Sequence, residues 1–275
     1  MAKLGVALNI LVLCAIFLAE ESQGYRFQLA NRESHRKDAS YPQDMDMKLL
    51  SPDTWSSLQK LYEKASPSEN RDDYKKFFAV HLTKDGDSDG YYGLSATMDV
   101  YGYNLQGGQL TTAAVWISNL EGNWQQDLDS ISVGWIVSPS HFNDSNTHLF
   151  TQWTRDADRT TGCANTDCPG FQLASGASIF PGNILSPVSD VNGLHQNISI
   201  KLFKDKSTGD WWLHCGYDST PTAVGYFPAS LFDSLSKKAT RITFGGHVFY
   251  DAKLRPSPPM GSGVLPSEHH SGIFN

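Results

Sequence analysis

The sequence has only four cysteines in 275 residues and one long apolar run, at its N-terminus. That scarcity excludes a disulfide-dense miniature scaffold and a multi-span membrane protein. Lysine and arginine nowhere cluster, and a net charge of -7 is spread along the chain, so neither nucleic acid nor an anionic membrane is favoured as a partner. No fixed repeat period is present, which sets aside propellers and solenoids. His141, His148 and His214 lack metal-ligand spacing, and His269-His270 in the tail reads as a solvated pair. No metal and no cofactor is expected.

The N-terminal run has the layout of a secretory signal. Met1-Ala2-Lys3 supplies a positive start, and residues 4–19 an apolar centre short for a membrane span; Glu20 and Glu21 end it abruptly. Residues 1–24 are therefore expected to be a signal peptide, and the mature protein to be secreted and free of the membrane. Residues 25–73 form a polar leader with one helix over 51–65. Ser51 is its N-cap, Pro52 sits at N1, and Trp55, Leu58, Leu61 and Tyr62 recur at helical spacing.

Removing the signal removes Cys14 and leaves Cys163, Cys168 and Cys215. In an oxidising compartment Cys163–Cys168 is the natural pair; its short loop contributes roughly 2 kcal/mol at most. Cys215 alternates with Trp211, Leu213 and Tyr217 on one strand face, which reads as a buried thiol; an intermolecular disulfide is the alternative. The sequons at Asn143 and Asn197 are candidate glycosylation sites.

From residue 74 onward the pattern is strands and turns. Strand-like runs cover 77–82, 91–103, 110–119, 131–139, 148–155, 197–205, 211–217, 224–228 and 241–251, with one helix-like stretch at 229–239. Many short strands with few helices predict an all-β domain over 74–275, an antiparallel β-sandwich.

Several of these pieces occur together in order: SISVGWIVSP, LFTQWTRD, TGCANTDCPGF, GDWWL, VGYFPASLF, ITFGGHV and MGSG. On these motifs the chain resembles the neprosin family of secreted proteins, abundant in plants. The resemblance implies a sandwich with a cleft across one face, and a glutamic endopeptidase that cleaves after proline in acid. It also implies that the leader corresponds to a propeptide region, and that the domain runs past MGSG into a closing strand, where this sequence ends at Gly272-Ile273-Phe274-Asn275.

Chemistry of that class needs two carboxylates facing across the cleft, one ionised to take a proton from water, the other protonated to polarise the scissile carbonyl. The family's first glutamate lies in an I-E-A-G-W stretch, and here Ile131-Ser132-Val133-Gly134-Trp135 stands there. The second lies in W-G-G-E-V, and here the residues are Phe244-Gly245-Gly246-His247-Val248. Ser132 and His247 thus occupy both carboxylate positions. Three readings follow: an inactive relative that binds a proline-containing peptide or a glycan, its histidine cationic in acid and without a partner carboxylate; a hydrolase using a Ser132–His247 dyad, the histidine taking the serine proton; and a peptidase using Asp127 or Asp129. Trp116, Trp135 and Trp153 are candidate cleft-lining residues, with sandwich core as the alternative.

Overall fold

The computed structural model of the protein describes residues 74–83, 90–119, 127–254 and 256–264. The expected signal peptide over 1–24, and the leader over 25–73 with its helix, lie outside them.

Among the described residues eleven strands alternate with turns: β1 (Tyr74–Leu82), β2 (Gly93–Asp99), β3 (Gln109–Asn119), β4 (Asp129–Val137), β5 (His148–Thr154), β6 (Cys163–Ala164), β7 (Gln172–Leu173), β8 (Asn197–Lys204), β9 (Trp211–Tyr217), β10 (Thr222–Phe227) and β11 (Arg241–Asp251). Six form one sheet in the order β1-β11-β3-β4-β5-β6, and five form a second in the order β2-β8-β9-β10-β7. The strand pairs of both sheets are antiparallel. A four-residue helix, α1 (Pro139–Phe142), follows β4, with Pro139 in its first turn and Asn143 closing it in the left-handed conformation.

Alternation explains the layering. Ile198, Ile200 and Leu202 of β8 point inward, as do Leu213 and Cys215 of β9. They meet Val115 and Ile117 of β3, Ile131, Val133 and Trp135 of β4, and Leu149 and Trp153 of β5. Each large apolar side chain so buried contributes about 1.5–3 kcal/mol. Two indole tips in this layer are satisfied: that of Trp135 donates to the Asp99 carbonyl at 2.8 Å, and that of Trp211 to the Leu235 carbonyl at 3.0 Å. Cys215 lies in the core, where burial pushes its thiol up to about 12. It is an inert hydrophobe there, and an intermolecular disulfide would require opening the sandwich.

The stretch 229–239 departs from its helical expectation. It makes only a three-residue 3-10 turn (Ala229–Leu231), and Phe232 is extended. Tertiary bonds capture the backbone instead. The Leu235 N–H donates to Asp129 at 2.7 Å, and the Asn119 amide donates to the Lys238 carbonyl at 2.8 Å. Phe232, Leu235 and Ala239 are thereby packed into the core as an irregular cover.

The knot motif forms the Cys163–Cys168 disulfide, next to the edge where β6 pairs with β5. The MGSG motif lies at one end of the sandwich. Gln109 donates to the Pro256 carbonyl, Thr111 to that of Pro259 and Tyr103 to that of Gly261, at 2.9, 2.7 and 2.6 Å, and Met260 is buried.

Candidate active site

The side of the six-stranded sheet turned away from the five-stranded one carries Ser132 and His247. Strand register sets it out as parallel rows. One row runs Thr243, Trp116, Ser132 and Gln152 across β11, β3, β4 and β5. Two residues further along each strand, the next runs Val80, Gly245, Ala114, Gly134 and Phe150. The third runs Phe78, His247, Thr112, Ile136 and His148.

The middle row is a strip of small residues, the floor of a shallow trough in which Ala114, Gly134, Gly245 and Phe150 are all buried. Across three neighbouring strands it presents nothing larger than the methyl of Ala114, with Val80 and Phe150 at its ends. The glycines are fixed by close backbone contact. A Cβ on Gly134 would lie 2.0 Å from the Ala113 carbonyl oxygen. One on Gly245, whose φ is +153°, would lie 2.2 Å from that of Ala79. Gly134→Ala is therefore expected to destabilise the domain by about 1–3 kcal/mol, read as a lower urea midpoint with an unchanged slope.

The banks differ in character. Ser132, Gln152 and Thr243 make one polar and buried, with Trp116 half-buried among them. On the other, Ile136 joins Leu110, Phe150 and Phe249 in a second apolar cluster, against which Phe78 and Phe142 pack. His148 closes that row at β5: its Nδ1 lies 2.8 Å from the Gly182 carbonyl and its Nε2 2.9 Å from Asp144, under the stacked ring of Phe142.

His247 is buried, its ring 5.4 Å from that of Phe78. Burial, and after it the charge of Lys76, pushes its pKa down to about 3. This corrects the expectation of a cationic histidine in acid: the imidazole stays neutral through mildly acid conditions.

Ser132 and His247 are not within reach of each other. Ser132 lies opposite Trp116 and His247 opposite Thr112, four residues apart on the intervening β3. That offset is about 13 Å along the strand, with two strand widths, about 10 Å, across it. A hydrogen bond requires about 3 Å, so the register rules out a direct dyad. Asp129 does not supply the missing acid either. It is buried on the opposite side of β4, where it accepts hydrogen bonds from Ser234 Oγ at 3.1 Å and the Leu235 N–H. Burial raises its pKa and those bonds pull it back. Asp127 is exposed, ahead of β4.

Of the three candidate tryptophans, only Trp116 shares the trough's side of the sheet. Trp135 and Trp153 belong to the main core, because odd-numbered residues of β4 and β5 point inward. Asn143 is exposed at the end of α1, and Asn197 is half-buried at the start of β8. Among the described residues no cluster of His, Cys, Asp or Glu could hold a metal ion. Gln152, facing Ser132, and Thr112, facing His247, were not singled out by motif. The alternation of Thr112, Ala114 and Trp116 was the available signal, and it needed strand register to become a site.

The Neprosin family profile matches residues 107–273, more than half of the chain. The protein belongs to the neprosin family. Among solved structures it is similar to a Scytalido-glutamic peptidase bound to a peptide-based transition-state analogue, at 12% identity over 64% of each chain with a TM-score of 0.32. This chain thus spans 64% of that peptidase's length. It is also similar to a Bacteroides ovatus GH16 protein in complex with its product, at 10% identity over 74% of this chain and 92% of that one, with a TM-score of 0.35. The disulfide is compatible with an extracellular member of the neprosin family.

Proposed function

We propose that this neprosin is a secreted peptide-binding protein that keeps the family's trough and has lost its hydrolysis. One observation carries the reading: a hydroxyl at Ser132 and a neutral, buried imidazole at His247 stand on opposite banks where the family resemblance requires two carboxylates. An aliphatic hydroxyl is no base in mild acid without activation, and the two positions are too far apart for one to activate the other. A positioned acid or base contributes typically about 10²–10⁴ in rate, and losing both halves of one unit leaves little beyond binding.

A small-residue floor between a polar bank and a mixed one, where Phe78 and Ile136 alternate with Thr112 and two histidines, suits an extended peptide, and Trp116 provides an aromatic surface for proline rings. Calorimetry with a proline-containing peptide is expected to give saturable binding, and mass spectrometry of the same mixture no cleavage at acid or neutral pH. Trp116→Ala is expected to weaken binding about tenfold. Cleavage that disappears in His247→Ala would overturn the proposal.

A further inference from the structure

The five-stranded sheet has its own outward side, remote from the trough. Register lines up Phe203, Trp212, Tyr226 and Gln172 across β8, β9, β10 and β7 in a single row. The next row places Lys201 beside His214. Phe203, Trp212, Tyr226 and His214 are half-buried, and Lys201 and Gln172 are exposed. This is an unusual concentration of rings for the solvent side of a sandwich, where alternation normally leaves polar residues.

The rings are ordered by one another. Trp212 and Tyr226 have centroids 4.9 Å apart at 32°. His214 meets Phe203 edge-on at 5.2 Å. The Lys201 ammonium is held over the Phe203 ring at 5.1 Å, so a positive charge stands at one end of an aromatic pair. Carboxylates around these rows are engaged elsewhere. Asp205 accepts the Thr208 N–H at 2.9 Å, Asp210 the Ala229 N–H at 2.9 Å, Asp218 the Asn197 N–H at 2.9 Å, and Asp99 the Tyr101 hydroxyl at 3.2 Å. The two rows therefore present aromatic surface, hydrogen-bonding edges and the Lys201 ammonium, with no carboxylate in either row.

We propose that this side of the protein is a second binding surface, for a uronate-bearing polysaccharide. The apolar C–H face of a sugar ring packs on the indole of Trp212 and the phenol of Tyr226, as amphipathic rings favour at contacts that are part apolar and part wet. Hydroxyls meet the Gln172 amide and the His214 ring, and the uronate carboxylate meets Lys201. Phe203 and Tyr226 stand two strand spacings apart, roughly 10 Å, so the row receives a short run of sugar residues laid across the strands. Charge complementarity selects an acidic chain over a neutral one.

The test is affinity electrophoresis of the full secreted chain through gels containing polygalacturonate, with hydroxyethylcellulose as the neutral control. Retardation by polygalacturonate alone is expected, and its loss in about 1 M salt, where the screening length falls to about 3 Å. Trp212→Ala and Lys201→Ala are each expected to weaken retention about tenfold, with thermal melting checking the fold. Lys201 is exposed, so its variant keeps the test valid should the tryptophan variant fail to fold. Equal retardation by both polymers, none by either, or retention unchanged in both variants overturns the proposal. So does a concentration-dependent dimer that Lys201→Ala or Trp212→Ala converts to monomer, which would assign the surface to a second copy. Peptide binding in the trough is measured separately and stays intact in these variants, so either proposal can fail without the other.

Discussion

Glutamates introduced at both altered positions, Ser132→Glu together with His247→Glu, are expected to raise acid hydrolysis of a proline-containing peptide by at least about 10²-fold over the unmodified protein. The surroundings already suit the two roles. Burial of the kind that holds His247 neutral would raise the pKa of a carboxyl placed there, keeping it protonated as the acid, although Lys76 opposes that shift. Position 132 is as deeply buried, but it has Gln152 opposite on one side and Trp116 on the other, and a donating Gln152 amide favours an ionised carboxylate there as the base. Longer side chains also lean over the floor of Ala114, Gly134 and Gly245 from opposite banks, where a serine cannot. Because the two groups act as one unit, each single variant should remain near background. The readout is product formation against pH, with a rise on the acid side. A double variant that folds, binds peptide and yields no product would show that the scaffold has drifted beyond the loss of its acid pair.

The second large effect concerns stability in acid. His247 has a native pKa near 3 against 6.5 for the free side chain. Between those values the unfolded chain binds a proton that the native protein refuses. The stabilisation is thus complete above about pH 6.5, and is lost progressively as pH falls toward 3, at about 1 kcal/mol for each pH unit. His247→Gln should remove this component. Its urea midpoint is expected to fall less than that of the unmodified protein between pH 7 and pH 4, the comparison cancelling other titrating groups such as Asp129. Parallel profiles for the two proteins would show that His247 is not held neutral.

Much of this was legible in the residues. Period-two alternation in 197–205 and 211–217 defines β8 and β9, and the closely spaced cysteines form the expected bridge. The substitutions at 132 and 247 are readable because Gly134 and Gly245 cannot change without steric conflict, and so anchor the motifs around them. Other features depend on pairing, which one strand's sequence does not carry. That Trp135 and Trp153 point inward while Trp116 points outward is a matter of which alternate set faces the second sheet. The distance between Ser132 and His247 follows only from the register of β4 and β11 on β3. The failed helix at 229–239 has the same origin: its apolar spacing was compatible with a helix, but Asp129 and Asn119, distant in sequence, bind its backbone first.

The order β1-β11-β3 has a consequence for biosynthesis. Among the described strands the latest in sequence, β11, is inserted between two made long before it. Until it emerges, β1 lacks its neighbour and β3 keeps an open edge. Assembly of this sheet therefore waits for residues 241–251 to be made. A truncation anywhere before residue 241 removes part of both banks, because Thr243 of one and His247 of the other lie on β11.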